Sequence, residues 1–253
     1  MDLGLHDKRV LVGGASRGIG LAVARAFLQE GAHVAIVARD AQALEDARAG
    51  LASEFPRRSI LAWSGDLEAQ QDVAGAVAGV AAELGGLDCA VANAGSGAGS
   101  ADASPPLQEW DRLLEANLHP AILLCQEAAA AMDGGALAIV GSIAGLGHLP
   151  APLPYSAAKA ALVRYTQDLA HRLGGEGIRV NMVAPGNVLF AGGRWEQRLA
   201  EDAEGVRQYV RREVPLGRFA TPEEVASAVA FLCSDRSGFT TGACLVVDGG
   251  QLR

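Results

Sequence analysis

Seven short runs of apolar residues, at 9–13, 32–38, 59–65, 87–92, 136–141, 178–183 and 243–247, recur along the chain without alternating polar positions. A strand with one wet face alternates with a period of two, so a continuously apolar run marks a strand covered on both faces. Longer Ala-rich, helix-like segments separate them, at 18–30, 40–54, 67–84, 107–133, 155–174 and 222–235. Strands that alternate with helices imply crossover connections, and the pattern predicts an α/β protein with a doubly wound, mainly parallel seven-stranded sheet and helices on both faces. Two stretches break the alternation. Residues 96–106 are rich in Gly, Ser and Pro, and 187–215 form an insertion long enough to carry structure of its own. The insertion reads either as a substrate lid or as a long connection.

Composition narrows the classes. Hydrophobic residues make up 50% of the 253 positions and charged residues 20%, a packed rather than disordered chain. With neither repeat nor linker, residues 1–253 are expected to form a single domain. Lys plus Arg number 21 against 29 Asp plus Glu, and the net charge of −8 offers no general attraction to nucleic acid or anionic membranes. No apolar run approaches a bilayer span and the first ten residues mix in Asp, His, Lys and Arg, so a cytoplasmic location is expected. Cys89, Cys125, Cys233 and Cys244 are scattered, as are the five histidines, so neither a disulfide framework nor a metal site is expected.

The first strand runs into Gly14-Ala15-Ser16-Arg17-Gly18-Ile19-Gly20, which opens a helix. Glycine allows the tight turn and the close approach of backbone to a pyrophosphate, and the helix N-terminus offers unpaired N–H groups to the anion. This strand, turn and helix begin a βαβ unit, the context of a Rossmann-type dinucleotide site. The second strand ends at Ala38-Arg39-Asp40. An NAD site usually has an acid at the end of this strand for the ribose hydroxyls. Aligned by the strand, that position is Ala38, and Arg39 with Arg17 instead suits a 2′-phosphate, which favours NADP(H) over NAD(H). Asp40 leaves a second register open, and either arginine alone also reads as surface charge.

The fifth strand delivers Ser142 at its carboxyl end, and Tyr155-Ser-Ala-Ala-Lys159 opens the following helix. Tyr155 and Lys159, four apart, share a helical face that continues through Leu162, Val163, Thr166 and Ala170. Burying a phenol and an ammonium there without chemistry is expensive. Reduction of a carbonyl supplies the reason, since charge builds on oxygen as hydride reaches carbon and a positioned acid must protonate it. Lowering a phenol pKa from about 10 to about 7 takes roughly 4 kcal/mol. Lys159 and an oxidised nicotinamide are the expected sources, with Ser142 holding the substrate oxygen.

Taken in order, Gly14-xxx-Gly18-x-Gly20, Asp66-Leu67, Asn93-Ala94-Gly95, Ser142, Tyr155-xxx-Lys159, Asn181-Met-Val-Ala-Pro185-Gly186 and Val247-Asp248-Gly249-Gly250 span nearly the whole chain. The chain resembles the short-chain dehydrogenase/reductases, the 3-oxoacyl-[acyl-carrier-protein] reductases among them. The resemblance implies a coenzyme site of Gly14, Ser16, Arg17, Gly18, Ile19, Gly20 and Arg39, with Asp66 at the adenine edge and Leu67 touching the ring through its backbone. It further implies Asn93, Ala94 and Gly95 under the adenosine ribose, Tyr155 and Lys159 at the nicotinamide ribose, Pro185 and Gly186 against the nicotinamide, and Val188 bonding the carboxamide through its backbone. Asn117 is implied to hold a water linking Lys159 to solvent, and a homotetramer is the family's assembly.

The chain departs from the family where Phe190 replaces a threonine common in the nicotinamide pocket, and where Gly13 and Ala92 replace hydrogen-bonding residues. Lid residues such as Phe190, Trp195 and Tyr209 read either as walls for a small-molecule carbonyl or alcohol, or as packing. Arg194, Arg198, Arg207, Arg211 and Arg212 read as docking cations or solvated faces. A non-catalytic NADP-binding regulatory module and a Rossmann-type transferase are the competing readings. Neither requires Asn117, Ser142, Tyr155 and Lys159 together.

Overall fold

A computed structural model describes residues 2–100 and 102–252, leaving one residue of the 96–106 loop outside. Seven strands, β1 (Arg9–Gly13), β2 (His33–Ala38), β3 (Ile60–Ser64), β4 (Cys89–Ala92), β5 (Gly135–Val140), β6 (Ile178–Pro185) and β7 (Cys244–Val247), form one sheet in the order β3-β2-β1-β4-β5-β6-β7. Every pairing is parallel. The order reverses between β1 and β4, and open α/β sheets bind ligands in the crevice outside the strands' carboxyl ends at such a switch point.

The unbroken apolar runs serve two cores at once. In β1, Val10 and Val12 point into one cluster and Leu11 into the other; in β2, Val34 and Ile36 oppose Ala35 and Val37. The first cluster is closed by α1 (Gly18–Gln29), α2 (Ala41–Glu54) and α8 (Pro222–Cys233). The second is closed by α3 (Gln70–Leu84), α4 (Leu107–Ala130) and α5 (Leu153–Leu173). Helices α1 and α8 pack against one another, and Ala22 and Ala24 on α1 and Ala226 and Ala230 on α8 are among their buried residues. Interhelical distance depends on the side chains at the contact, and small ones let two backbones approach.

Element boundaries shifted where local bonds intervened. The third helix starts at Gln70 instead of 67, because Ala69 N–H bonds back to Asp66 C=O at 3.0 Å and makes a turn first. The fifth starts at Leu153 with Pro154 in its first turn, so Tyr155 lies inside the helix rather than at its start. The insertion folds as α6 (Arg194–Glu201) and α7 (Ala203–Glu213), the latter capped by Asp202 accepting from Gly205 N–H at 2.9 Å. No helix among the described residues is long and apolar enough to cross a membrane. A cavity of about 760 Å³ opens at the opposite, amino-terminal edge of the sheet beside Arg9, Asp88 and Arg179. None of the motif residues around the switch point lines it.

Candidate active site

The glycine turn carries β1 into α1. Arg17 is the N-cap in extended conformation and its side chain makes no capping bond, so the first N–H groups of α1 are left for a ligand. Gly18 has φ +58°, a conformation costly for other residues. A Cβ added to Gly20 would lie 2.2 Å from Gly14 O and 2.7 Å from Asn93 Nδ2, so backbone and amide close on this position. Asn93 donates to Gly14 C=O at 2.9 Å and pins the turn to the end of β4. Ala94 sits against Gly14, its Cα 3.0 Å from where a Cβ would be. Ser16 lies in the same turn, while Ile19 packs on the first core cluster. An uncapped helix start beside glycines that admit no side chain fits a dinucleotide diphosphate.

At the adenosine end, β2 stops at Ala38, in register with Ser64 of β3. Asp40 accepts from Ala43 N–H at 3.0 Å as the N-cap of α2, which ties one of its oxygens to the helix start. Arg39 is exposed and its Nη1 lies 3.6 Å from Glu68 Oε1, a neighbour not anticipated from the sequence. Such a surface pair contributes little and leaves the guanidinium available to a better anion. Asp66 heads the turn after β3, its N–H donating to Asp72 Oδ2 at 2.8 Å and its Oδ1 accepting from Glu68 N–H at 3.1 Å. Leu67 buries its side chain in the second core cluster, which leaves its backbone for contact with a ligand.

Ser142, Tyr155, Lys159 and Asn117 converge at the carboxyl ends of β4 and β5. Ser142 follows β5, and its Oγ accepts from Ala144 N–H at 3.1 Å at the start of a 3-10 turn. Tyr155 faces Ser142 across the gap, and the serine hydroxyl favours the phenolate. Lys159, one turn along α5, is 4% exposed, with Nζ 5.7 Å from the Tyr155 ring centroid. Asn117 is fully buried in α4, its Oδ1 accepting from Ser96 N–H at 2.9 Å and its Nδ2 donating to Ser96 C=O at 2.8 Å and Leu113 C=O at 2.9 Å. The helix runs on through Pro120, and Asn117 ties it to the irregular segment that follows β4. Gly95 joins the group, since a Cβ there would lie 2.8 Å from Asn117 Oδ1 and 3.2 Å from Lys159 Nζ.

The electrostatics of this group are those of a dry site. Burial raises the Tyr155 phenol above its ordinary value, and the Ser142 hydroxyl opposes that. Burial lowers the Lys159 ammonium to about 8. By itself, therefore, the protein does not bring the phenol toward neutrality, and the lysine pays for its position in desolvation.

Beyond β6, Gly186 N–H bonds to Val247 C=O at 2.9 Å, and Pro185 is buried as the last residue of the strand. Val188 bridges Ala220: Ala220 N–H donates to Asn187 C=O at 2.9 Å and Leu189 N–H to Ala220 C=O at 3.0 Å. This parallel pattern uses the neighbours' groups and turns Val188's own N–H and C=O the other way. Asn181 of the same motif is structural, its amide bonding Thr240 C=O at 2.8 Å and Ala243 N–H at 3.0 Å. Phe190 does not stand free in a nicotinamide pocket; a Cβ added to Gly18 would meet its Cε2 at 2.6 Å. Trp195 stacks on Tyr209 at 5.3 Å and tilts against Phe219 at 5.2 Å, so much of the insertion's aromatic surface packs on itself. The chain's end was missed from the sequence. Leu252 reaches the loop after Ser142, its Cδ1 2.6 Å from where Gly147 would carry a Cβ, and no local signal announces so distant a contact.

Comparison with known proteins agrees with this geometry. Residues 14–251 match the family model described as enoyl-(acyl carrier protein) reductase. The chain is 37% identical to 2-(S)-hydroxypropyl-CoM dehydrogenase 3 of Xanthobacter autotrophicus, over 98% of this chain and 97% of that one. It is 35% identical to D-threitol dehydrogenase of Mycolicibacterium smegmatis, over 98% and 94%. The crystal structure of L-sorbose reductase from Gluconobacter frateurii, complexed with NADPH and L-sorbose, superposes with a TM-score of 0.93 at 32% identity, covering 100% of this chain and 99% of that one. The chain belongs to the short-chain dehydrogenase/reductases, a family of oxidoreductases acting on alcohols and carbonyls.

Proposed function

We propose that this protein is an NADP(H)-dependent carbonyl reductase or alcohol dehydrogenase that interconverts a ketone and a secondary alcohol, with Tyr155 as general acid and base. The observation that carries this reading is the convergence of Ser142, Tyr155, Lys159 and Asn117 beside an uncapped glycine turn. A binding module needs the turn but not the four side chains.

The nicotinamide, when bound, supplies or takes the hydride. Ser142 hydrogen-bonds the substrate oxygen and holds it within reach of the phenol. In reduction Tyr155 gives its proton to that oxygen; in oxidation the phenolate takes the alcohol's proton back. Lys159 in its charged form favours the phenolate and grips the nicotinamide ribose, and Asn117 holds the Gly95–Ser96 segment against it and carries the proton path toward solvent. Gly14, Ser16, Gly18, Ile19 and Gly20 cradle the diphosphate. Asp66, Leu67, Asn93, Ala94 and Gly95 surround the adenosine, while Pro185, Gly186 and Val188 hold the nicotinamide. Arg17 and Arg39 select the 2′-phosphate, and several solved relatives hold NADP(H). Residues 1–253 act as one domain with 187–215 as its substrate lid. Exposed Phe231 on α8, and Leu245 and Val246 on the edge strand β7, supply an apolar face for assembly into a homotetramer. Four free cysteines agree with a reducing, cytoplasmic setting.

The test is a panel of ketones, ketoses and 3-oxoacyl thioesters followed by NADPH absorbance, with turnover of at least one class expected and none overturning the reading. Coenzyme choice is tested separately. Arg39→Ala should raise KM for NADPH roughly tenfold, the worth of a charge-assisted hydrogen bond, and leave KM for NADH within about twofold. Equal effects on the two coenzymes would reject NADP(H) selection by Arg39.

A further inference from the structure

We infer that Phe190 is a gate on coenzyme entry, its ring closing over the diphosphate cradle. The inference rests on the coenzyme site proposed above. It begins from the contact that the sequence placed elsewhere: Phe190 lies on Gly18, the first residue of α1, with Cε2, Cδ2 and Cζ at 2.6, 2.9 and 2.9 Å from the Cβ position of that glycine. No spacer separates ring from backbone, so an apolar face occupies the side of Gly18 where a diphosphate would approach the glycine backbone.

The segment bearing the ring is held in that position. Gly193 N–H donates to Phe190 C=O at 3.0 Å, closing a turn, and Gly193 is buried with its Cβ position 3.1 Å from the same ring. Gly192 N–H donates to Glu196 Oε2 at 2.7 Å. Arg17 Nη1 lies 3.1 Å from the Cβ position of Gly192, so an arginine assigned to the 2′-phosphate also touches the strap. The ring packs on the first core cluster but is only partly buried, and it can leave without opening the core. A phosphate reaching the N–H groups at Gly18 requires the ring to move aside. Entry is therefore limited to the fraction of molecules in which the strap is open, and a gate closed in about nine molecules of ten slows association roughly tenfold.

Stopped-flow mixing with NADPH tests this, read by energy transfer from tryptophan to the reduced nicotinamide rather than by turnover. Phe190→Ala removes the ring, and Phe190→Leu keeps apolar bulk without its reach. The expected result is an association rate raised roughly tenfold in Phe190→Ala, with Phe190→Leu between it and the parent, and a parent rate that levels off at high NADPH while that of Phe190→Ala stays linear. Association within twofold of the parent in both variants would overturn the gate while leaving the coenzyme site intact. No transfer signal in any of the three proteins would instead overturn the coenzyme site, and the gate with it.

Discussion

Tyr155→Phe is expected to lower kcat for ketone reduction by at least about a hundredfold, toward ten-thousandfold, while NADPH still binds. The change deletes one oxygen and leaves the ring, so the half-buried packing of α5 at this point persists. What disappears is the proposed proton donor opposite Ser142. Because the glycine turn, Asn93 and the two arginines are untouched, coenzyme affinity measured by fluorescence titration should stay within about threefold, a difference below 1 kcal/mol. Turnover at the parent rate would remove Tyr155 from the chemistry; loss of both turnover and binding would point to a collapsed site instead.

Lys159→Met should do something less intuitive, abolishing turnover while stabilising the ligand-free protein at neutral pH. Burial lowers the Lys159 pKa from 10.5 to about 8. At pH 7 the folded protein therefore carries a buried ammonium whose cost, at 1.36 kcal/mol per unit, is about 3 kcal/mol. Methionine fills similar space with no charge to desolvate. For a chain of this size the gain corresponds to a rise in Tm on the order of 5–10 °C. The sign follows from proton counting. Between pH 8 and about 10.5 the unfolded chain holds a proton on Lys159 that the folded chain has released, so the parent gains stability with rising pH. The advantage of Lys159→Met should accordingly be largest below pH 8 and vanish by about pH 10.5. Calorimetry of both proteins across this range measures it. A variant that melts below the parent at pH 7 would show that the ammonium is stabilised in place by groups beyond its immediate neighbours.

The two variants belong to one trade. Neither phenol nor ammonium sits comfortably in the ligand-free site, since burial raises the one and lowers the other, both away from the ion pair that proton transfer needs. On the proposed mechanism, the positive charge of an oxidised nicotinamide would favour the phenolate. A site held at a cost to stability is a common companion of catalysis.

Much of this was open to reading from the chain alone. The continuously apolar runs announced the seven strands, though the edge strands β3 and β7 lack a neighbour on one side and are only partly buried, and the glycine turn and the Tyr155–Lys159 spacing announced what lies at the sheet's carboxyl edge, because these are local patterns whose meaning depends on neighbours a few positions away. The order β3-β2-β1-β4-β5-β6-β7 brings those separate motifs to one crevice. Four matters emerged only from packing. Asp40 caps α2, because the helix begins there and one carboxylate oxygen accepts from Ala43 N–H. Phe190 lies on Gly18 and Leu252 on the loop after Ser142, contacts between residues far apart in the chain that no periodicity encodes. The pKa of Lys159 depends on how completely water is excluded, which is a property of the surrounding elements together. Sequence by itself determined the layers, the turn and the identity of the chemical groups, since propensity and spacing act locally. Tertiary structure alone decided which of those groups are spent on the fold, which face the crevice and at what electrostatic cost, since burial and long-range contact exist only once the chain has closed on itself.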